Sequence, residues 1–161
     1  VSGLVVRQAG IEDAAAIARV HIQAWRETYT RLVEPGELDV LDVDVREERW
    51  RTIFAEGRTT VWVVEVGDET VGFASAGTGR EHEVVRPIEL EAIYVLAEHH
   101  GTGAGQQLLD AAIGDSPAFL FVAEANPRAT RFYERNGFAF DGEVECYPLV
   151  RTPIVSRRMV R

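Results

Sequence analysis

The chain has 161 residues and a mass of 17.9 kDa, a length that suits one domain with a full core and leaves little room for a second. Apolar residues make up 46% and charged residues 27%, too apolar a mixture for a disordered chain. The formal net charge of −9 argues against nucleic acid as a partner, because neutralising phosphates takes a basic face.

In chain order, Leu4 to Ala9 reads as a short strand, and Asp13 stands near a helix start. Ala14, Ile17, Ala18, His21, Ile22 and Trp25 then recur at helical spacing. Leu32 to Asp44 is irregular and contains Pro35-Gly36, and Arg46 to Glu56 predicts a second helix with Trp50, Ile53 and Phe54 on one side. Thr60 to Val66 is rich in β-branched and aromatic residues, and Gly67-Asp68 turns it into Thr70 to Ala76, a hairpin signal. Glu89 to Val95 is the next strand, and Gly101 to Gly105 is a glycine loop opening into an apolar helix with Leu108, Leu109, Ala112 and Ile113. Phe119 to Glu124 is a strand. Pro127 to Asn136 is a short helix that begins on proline and stops at Gly137. Phe138 to Asp141 and Pro153 to Val160 complete the set as strands. This order predicts a single α/β domain over residues 1–161 with a mixed sheet.

Single residue types exclude further classes. Cys146 is the one cysteine, which removes an internal disulfide and a cysteine zinc site. The adjacent His99 and His100 lack convergent partners in the sequence, so no metal is expected. All seventeen basic residues are arginine; without lysine, neither a Walker A loop nor a Schiff-base enzyme can be built. Apolar runs such as Ala118 to Ala123 are too short for a bilayer, and the N-terminus has no basic-then-apolar leader pattern. A cytoplasmic protein without membrane partners is the expectation.

Two stretches carry chemistry. In Glu89-Leu-Glu-Ala-Ile-Tyr-Val-Leu-Ala-Glu-His-His-Gly-Thr-Gly-Ala-Gly-Gln-Gln, a strand runs through alternating glycines directly into a helix. Glycines let backbone N–H groups approach an anion, and a helix start adds unpaired N–H groups and a positive dipole end. Together they suit a phosphate or pyrophosphate. Gln106 stands where a dinucleotide fingerprint wants a third glycine. In the second stretch, Asn126 precedes Pro127 and serves either as a helix cap or as a ligand contact. Tyr133 shares an inward helix face with Ala129 and Phe132, and by itself it is a core aromatic.

The two stretches in this order resemble the GCN5-related N-acetyltransferase (GNAT) family. His100-Gly-Thr-Gly103-Ala-Gly105 is similar to its Gln/Arg-x-x-Gly-x-Gly/Ala motif, and Asn126, Phe132-Tyr133-Glu134 and Gly137-Phe138 look like its second motif. The motifs span residues 89 to 138. Ala24-Trp25-Arg26 through Tyr29 and Leu32 look like a common bacterial subgroup. His100 and Ala97 stand where the family commonly has Gln or Arg and proline. The resemblance implies an α/β fold with a mixed, mostly antiparallel central sheet of six to seven strands flanked by about four helices, and acetyl-CoA as co-substrate. The backbone of Ile93, Tyr94 and Val95 would pair with the pantetheine arm. His100 and the N–H groups of Gly101, Thr102, Gly103, Ala104, Gly105 and Gln106 would hold the pyrophosphate. Asn126 would touch the arm, and Tyr133 would protonate the departing sulfur.

Amide formation also needs a base, since an alkylamine with a reference pKa of about 10.4 is mostly protonated at neutral pH. Glu89 and Glu91 are the candidates: a strand's period of two places both on one face with Cα atoms about 7 Å apart, and Glu89's placement ahead of His100 resembles the family's base. A solvated pair at a strand end is the rival reading. Trp25 and Tyr29 are core residues or line the acceptor pocket. The acidic residues Glu34, Glu37, Asp39, Asp42, Asp44, Glu47 and Glu48 form a solvated face or attract a cationic amine. The expected reaction is acetyl transfer to a small cationic amine. A peptide or protein N-terminus is the second reading, a non-catalytic acyl-CoA sensor the third. Assembly as a homodimer is compatible with all three.

Overall fold

The computed structural model describes residues 3–78 and 85–161. β1 (Leu4–Gln8) leads through a short turn to α1 (Ala14–Tyr29) and α2 (Val43–Glu56). Asp42 starts α2 by accepting hydrogen bonds from the Asp44 and Val45 N–H groups, so the helix begins three residues ahead of the expected Arg46. β2 (Thr59–Val66) and β3 (Glu69–Gly77) form the hairpin the turn residues predict. β4 (Ile88–Val95), α3 (Ala104–Ala112), β5 (Ala118–Ala123) and α4 (Pro127–Arg135) follow, then β6 (Ala139–Pro148) and β7 (Pro153–Val160). β6 is much longer than the expected Phe138–Asp141, because its register shifts between Phe140 and Val144 and pairing with β7 resumes beyond. Gly142 sits in the shifted segment at φ 98°, a conformation that glycine adopts freely.

Among the described residues, seven strands make one mixed sheet in the order β1-β2-β3-β4-β5-β7-β6, the α/β architecture expected. α1 and α2 cover one face, with Ile17, Ala18 and Trp50 packed on Val61, Val63 and Phe73. α3 and α4 cover the other, where Leu108 meets Val64 and Ala74 and where Leu109 and Tyr133 join Leu90, Leu120 and Met159. β4 and β5 are the one parallel pair among the described strands and are in register only at Ile88–Ala118 and Glu89–Phe119. Beyond that they part, because β4 bulges: Ser75 faces Ala92 and Ala76 faces Leu90, leaving Glu91 as the extra residue. A bulge bends its strand and increases the local twist. It opens a cleft in the middle of the sheet.

Candidate active site

Three adjoining cavities run through this cleft. The central one, about 150 Å³, lies between β4 and β5 and is lined by Glu91, Tyr94, Val122, Asn126 and Tyr133. The second, about 360 Å³, lies over the glycine loop and shares Val95, His100 and Phe132 with the first. The third, about 620 Å³, lies toward α1 and α2 and shares Glu91, Ala92 and Tyr94 with the first.

At the loop end, Gly101 and Gly103 adopt φ of 77° and 92°, left-handed values that explain glycine at both places. Thr102 Oγ1 donates to the His99 carbonyl at 2.6 Å and tightens the turn. The N–H groups of Gly101, Gly103, Gly105 and Gln106 have no internal partner among the described residues; those of Gly105 and Gln106 belong to the first turn of α3, where four N–H groups go unpaired and the dipole is positive. His100 lines the cavity at this end and the central one. Its Nε2 lies 2.8 Å from the Val95 carbonyl, so the ring braces the loop against β4, and burial holds its pKa below the ordinary range. Arg128 and Arg135 line the same cavity. Sequence reasoning missed them, although their spacing of seven on a short helix places both on one face.

In the centre, Asn126 is a helix cap and a cleft residue at once. Its Oδ1 accepts from the Ala129 N–H at 3.2 Å, and its amide group has no partner among the described residues. Tyr133 is 8% exposed and belongs to the core cluster, yet it lines the cavity. Its hydroxyl makes no hydrogen bond among the described residues, and no fully buried side-chain polar atom there goes unpaired, so the hydroxyl keeps contact with the cleft. Burial, and then the neighbouring Tyr94, push its pKa well up. It stays protonated at neutral pH.

At the α1–α2 end the two glutamates separate. Glu91 sits where the central and third cavities meet, with Oε1 accepting from Thr59 Oγ1 at 2.9 Å. Glu89 is 1% exposed and lines none of the three cavities. A plain period of two did not anticipate this, because the bulge interrupts the alternation at Glu91. Trp25 lines the third cavity and donates from Nε1 to the Tyr94 hydroxyl at 3.0 Å; Tyr29 lines the central one. His21 packs 4.1 Å from the Trp25 ring and accepts from Trp50 Nε1 at 3.2 Å. Burial pushes its pKa down to about 3, so it is neutral. None of the seven residues of the acidic run lines any of these three cavities: Glu37 is buried and holds the β6–β7 turn, Asp42 caps α2, and Glu47 pairs with Arg51 at 3.2 Å. Among the described residues no group of His, Cys, Asp or Glu is arranged to hold a metal ion, and no helix is long and apolar enough to cross a membrane.

A family model described as "Acetyltransferase (GNAT) domain" matches residues 57–139. The chain is 29% identical to a probable N-acetyltransferase of Mycobacterium tuberculosis, over 99% of this chain and 95% of that protein. It is 35% identical to the uncharacterised N-acetyltransferase YuaI of Bacillus subtilis, over 77% of this chain and 74% of that one. Its fold is similar to the PaiA N-acetyltransferase of Thermoplasma acidophilum solved in complex with coenzyme A, with a TM-score of 0.68 at 17% identity, covering 96% of this chain and 97% of the other.

Proposed function

Since the chain belongs to the GNAT family and is an N-acetyltransferase, we propose that it moves the acetyl group of acetyl-CoA to a small-molecule amine that arrives as a cation beside Glu91. The observation that carries this reading is the split between β4 and β5, with unpartnered N–H donors at one mouth and the bulge carboxylate at the other. The residues present fit acetyl-CoA. Free N–H groups of the glycine loop and the first turn of α3, with Arg128 and Arg135 beside them, suit phosphate oxygens. The inner edge of β4 at Ile93 to Val95, unpaired with β5, suits an amide-bearing arm. When bound, acetyl-CoA supplies the thioester carbonyl that the amine attacks.

Glu91 is the base of choice, directly or through one water, because it alone of the two glutamates lines the cavities. Its hydrogen bond from Thr59 fixes the carboxylate where an amine in the third cavity gives up its proton. Tyr133 holds a proton at its hydroxyl inside the cleft and delivers it to the leaving sulfur. Asn126, with Oδ1 committed to the cap, offers its amide group to a carbonyl of the arm.

The test is acceptor-dependent release of the CoA thiol across a panel of small amines and short peptides. Glu91→Gln keeps shape and cannot accept a proton, so kcat/KM falls about 10²–10⁴-fold near neutral pH and recovers toward pH 10, where the amine loses its own proton. In Glu89→Gln the shape of the pH profile stays that of the wild type. A panel in which peptides alone respond overturns the small-molecule reading. Acetyl-CoA binding with no acceptor-stimulated release leaves the sensor reading in its place.

A further inference from the structure

The third cavity carries a charge pattern that an amine alone does not answer. Its lining holds three arginines, Arg46, Arg49 and Arg58, and two carboxylates, Glu56 and Glu91. Arg58 and Glu56 satisfy each other at 2.7 Å, and His21 is neutral. Arg46 and Arg49, one turn apart on α2, lie within ion-pair distance of no carboxylate among the described residues. Glu56 feels Arg49 at longer range. Arg46 is half-buried, and its guanidinium lies 4.6 Å over the Trp25 ring, which fixes the plane of the fork while leaving its N–H edges free. Burial and the adjacent Arg49 hold the Arg46 pKa below the ordinary arginine range, as expected of a cation placed beside another cation. Among the described residues this partly buried guanidinium has no anion, a costly arrangement, and a bound oxyanion supplies hydrogen bonds to it.

We infer that the acceptor is an amine that also carries an oxyanion, a carboxylate or a phosphate, held by Arg46 with Arg49 at the rim while its amino group faces Glu91. This rests on the acetyl-transfer reading above and adds the substrate class to it. Because one cavity contains both Glu91 and the arginines, a single small molecule spans the two, and the apolar walls from Trp25, Trp50 and Ile53 accommodate an apolar body between its charges. The acidic run that suggested a purely cationic acceptor contributes nothing to this cavity.

The experiment uses two matched pairs of probes, L-phenylalanine against L-phenylalaninamide and O-phosphoethanolamine against ethanolamine, assayed with acetyl-CoA on the full chain. The expected result is a preference for the charged member of at least one pair, about ten- to a hundredfold in kcat/KM; which pair responds identifies the oxyanion as carboxylate or phosphate. Arg46→Gln brings that ratio close to one, and Arg46→Lys restores part of it. Because the ratio is compared between wild type and variant, differences in amine basicity and in overall fold cancel. Arg49→Gln, at an exposed position, lowers the ratio less. Equal rates for charged and neutral members, or a preference that survives Arg46→Gln, overturns the inference. If none of the four probes is acetylated, the broader amine and peptide panel decides the transfer reading, and calorimetric titration of the same four probes into the CoA-loaded protein decides the oxyanion site separately. Charged-member binding that is lost in Arg46→Gln supports the oxyanion site, and indifference to the charge overturns it.

Discussion

Tyr133 combines two properties that rarely coincide in one side chain: a ring packed in the core and a hydroxyl that keeps a raised pKa and access to the cleft. Tyr133→Phe removes only the hydroxyl, which has no partner among the described residues, so thermal stability and CoA affinity stay close to wild type. Turnover falls about 10²–10⁴-fold if that hydroxyl supplies the sulfur's proton. Steady-state kinetics beside a melting curve separates the two effects, and a wild-type rate returns Tyr133 to the core. Gly103 makes the opposite point. Its φ of 92° is a region that β-branched residues enter at a cost of about 1–2 kcal/mol, so Gly103→Val distorts the loop and blocks close approach. CoA affinity by calorimetry drops at least about tenfold while the circular dichroism spectrum holds; unchanged affinity removes this loop from phosphate binding. These two residues were legible in the sequence because each demand is local: a backbone conformation at Gly103, a helix face at Tyr133. Arg46, Arg49, Arg128 and Arg135 were not, since arginine at helical spacing reads equally as solvated surface until the fold puts a cavity beneath it.

Among the elements, the turn between β6 and β7 is tied to the segment before α2 by one carboxylate. Glu37 accepts from the Arg151 and Thr152 N–H groups at 3.0 and 2.9 Å and from Thr152 Oγ1 at 2.6 Å. These donors pull its pKa down to about 2, against an ordinary glutamate value of about 4.3. A carboxylate with a lowered folded-state pKa stabilises fully above the unfolded value, and its contribution is lost as pH falls toward the folded one. The wild-type melting temperature therefore has an acid slope between about pH 4.5 and pH 2 that Glu37→Gln flattens, while the variant melts lower than wild type at pH 7. Parallel slopes in thermal melts over that window assign the acid sensitivity to other groups. The hairpin and the glycine-loop helix could be read from sequence because turn residues and period are local properties. The bulge at Glu91 could not: the strand's own alternation is regular, and only its register against Ser75 and Ala76 creates the extra residue. The same reason hid the length of β6, an exposed edge strand whose pairing with β7 overrides weak patterning.

At the scale of the molecule, the described residues form a seven-stranded sheet with its two middle strands held together only at one end. Beyond Glu89 and Phe119 the inner edges of β4 and β5 do not pair with each other, and His100 takes up the Val95 carbonyl. In the proposed reading, acetyl-CoA laid against Ile93 to Val95 stands in for the absent neighbour and finishes the sheet. Amide hydrogens at these positions exchange more slowly once CoA is present, and a hundredfold excess over its Kd adds about 2.7 kcal/mol to folding. For a chain of this length that raises Tm by roughly 5–11 °C; no shift, with no change in exchange, dissociates CoA from this edge. The split sheet then has a consequence for cleavage. Proteases act on the opened form, so in the proposed reading bound acetyl-CoA shields this polypeptide from them. Limited proteolysis with and without acetyl-CoA measures that dependence directly.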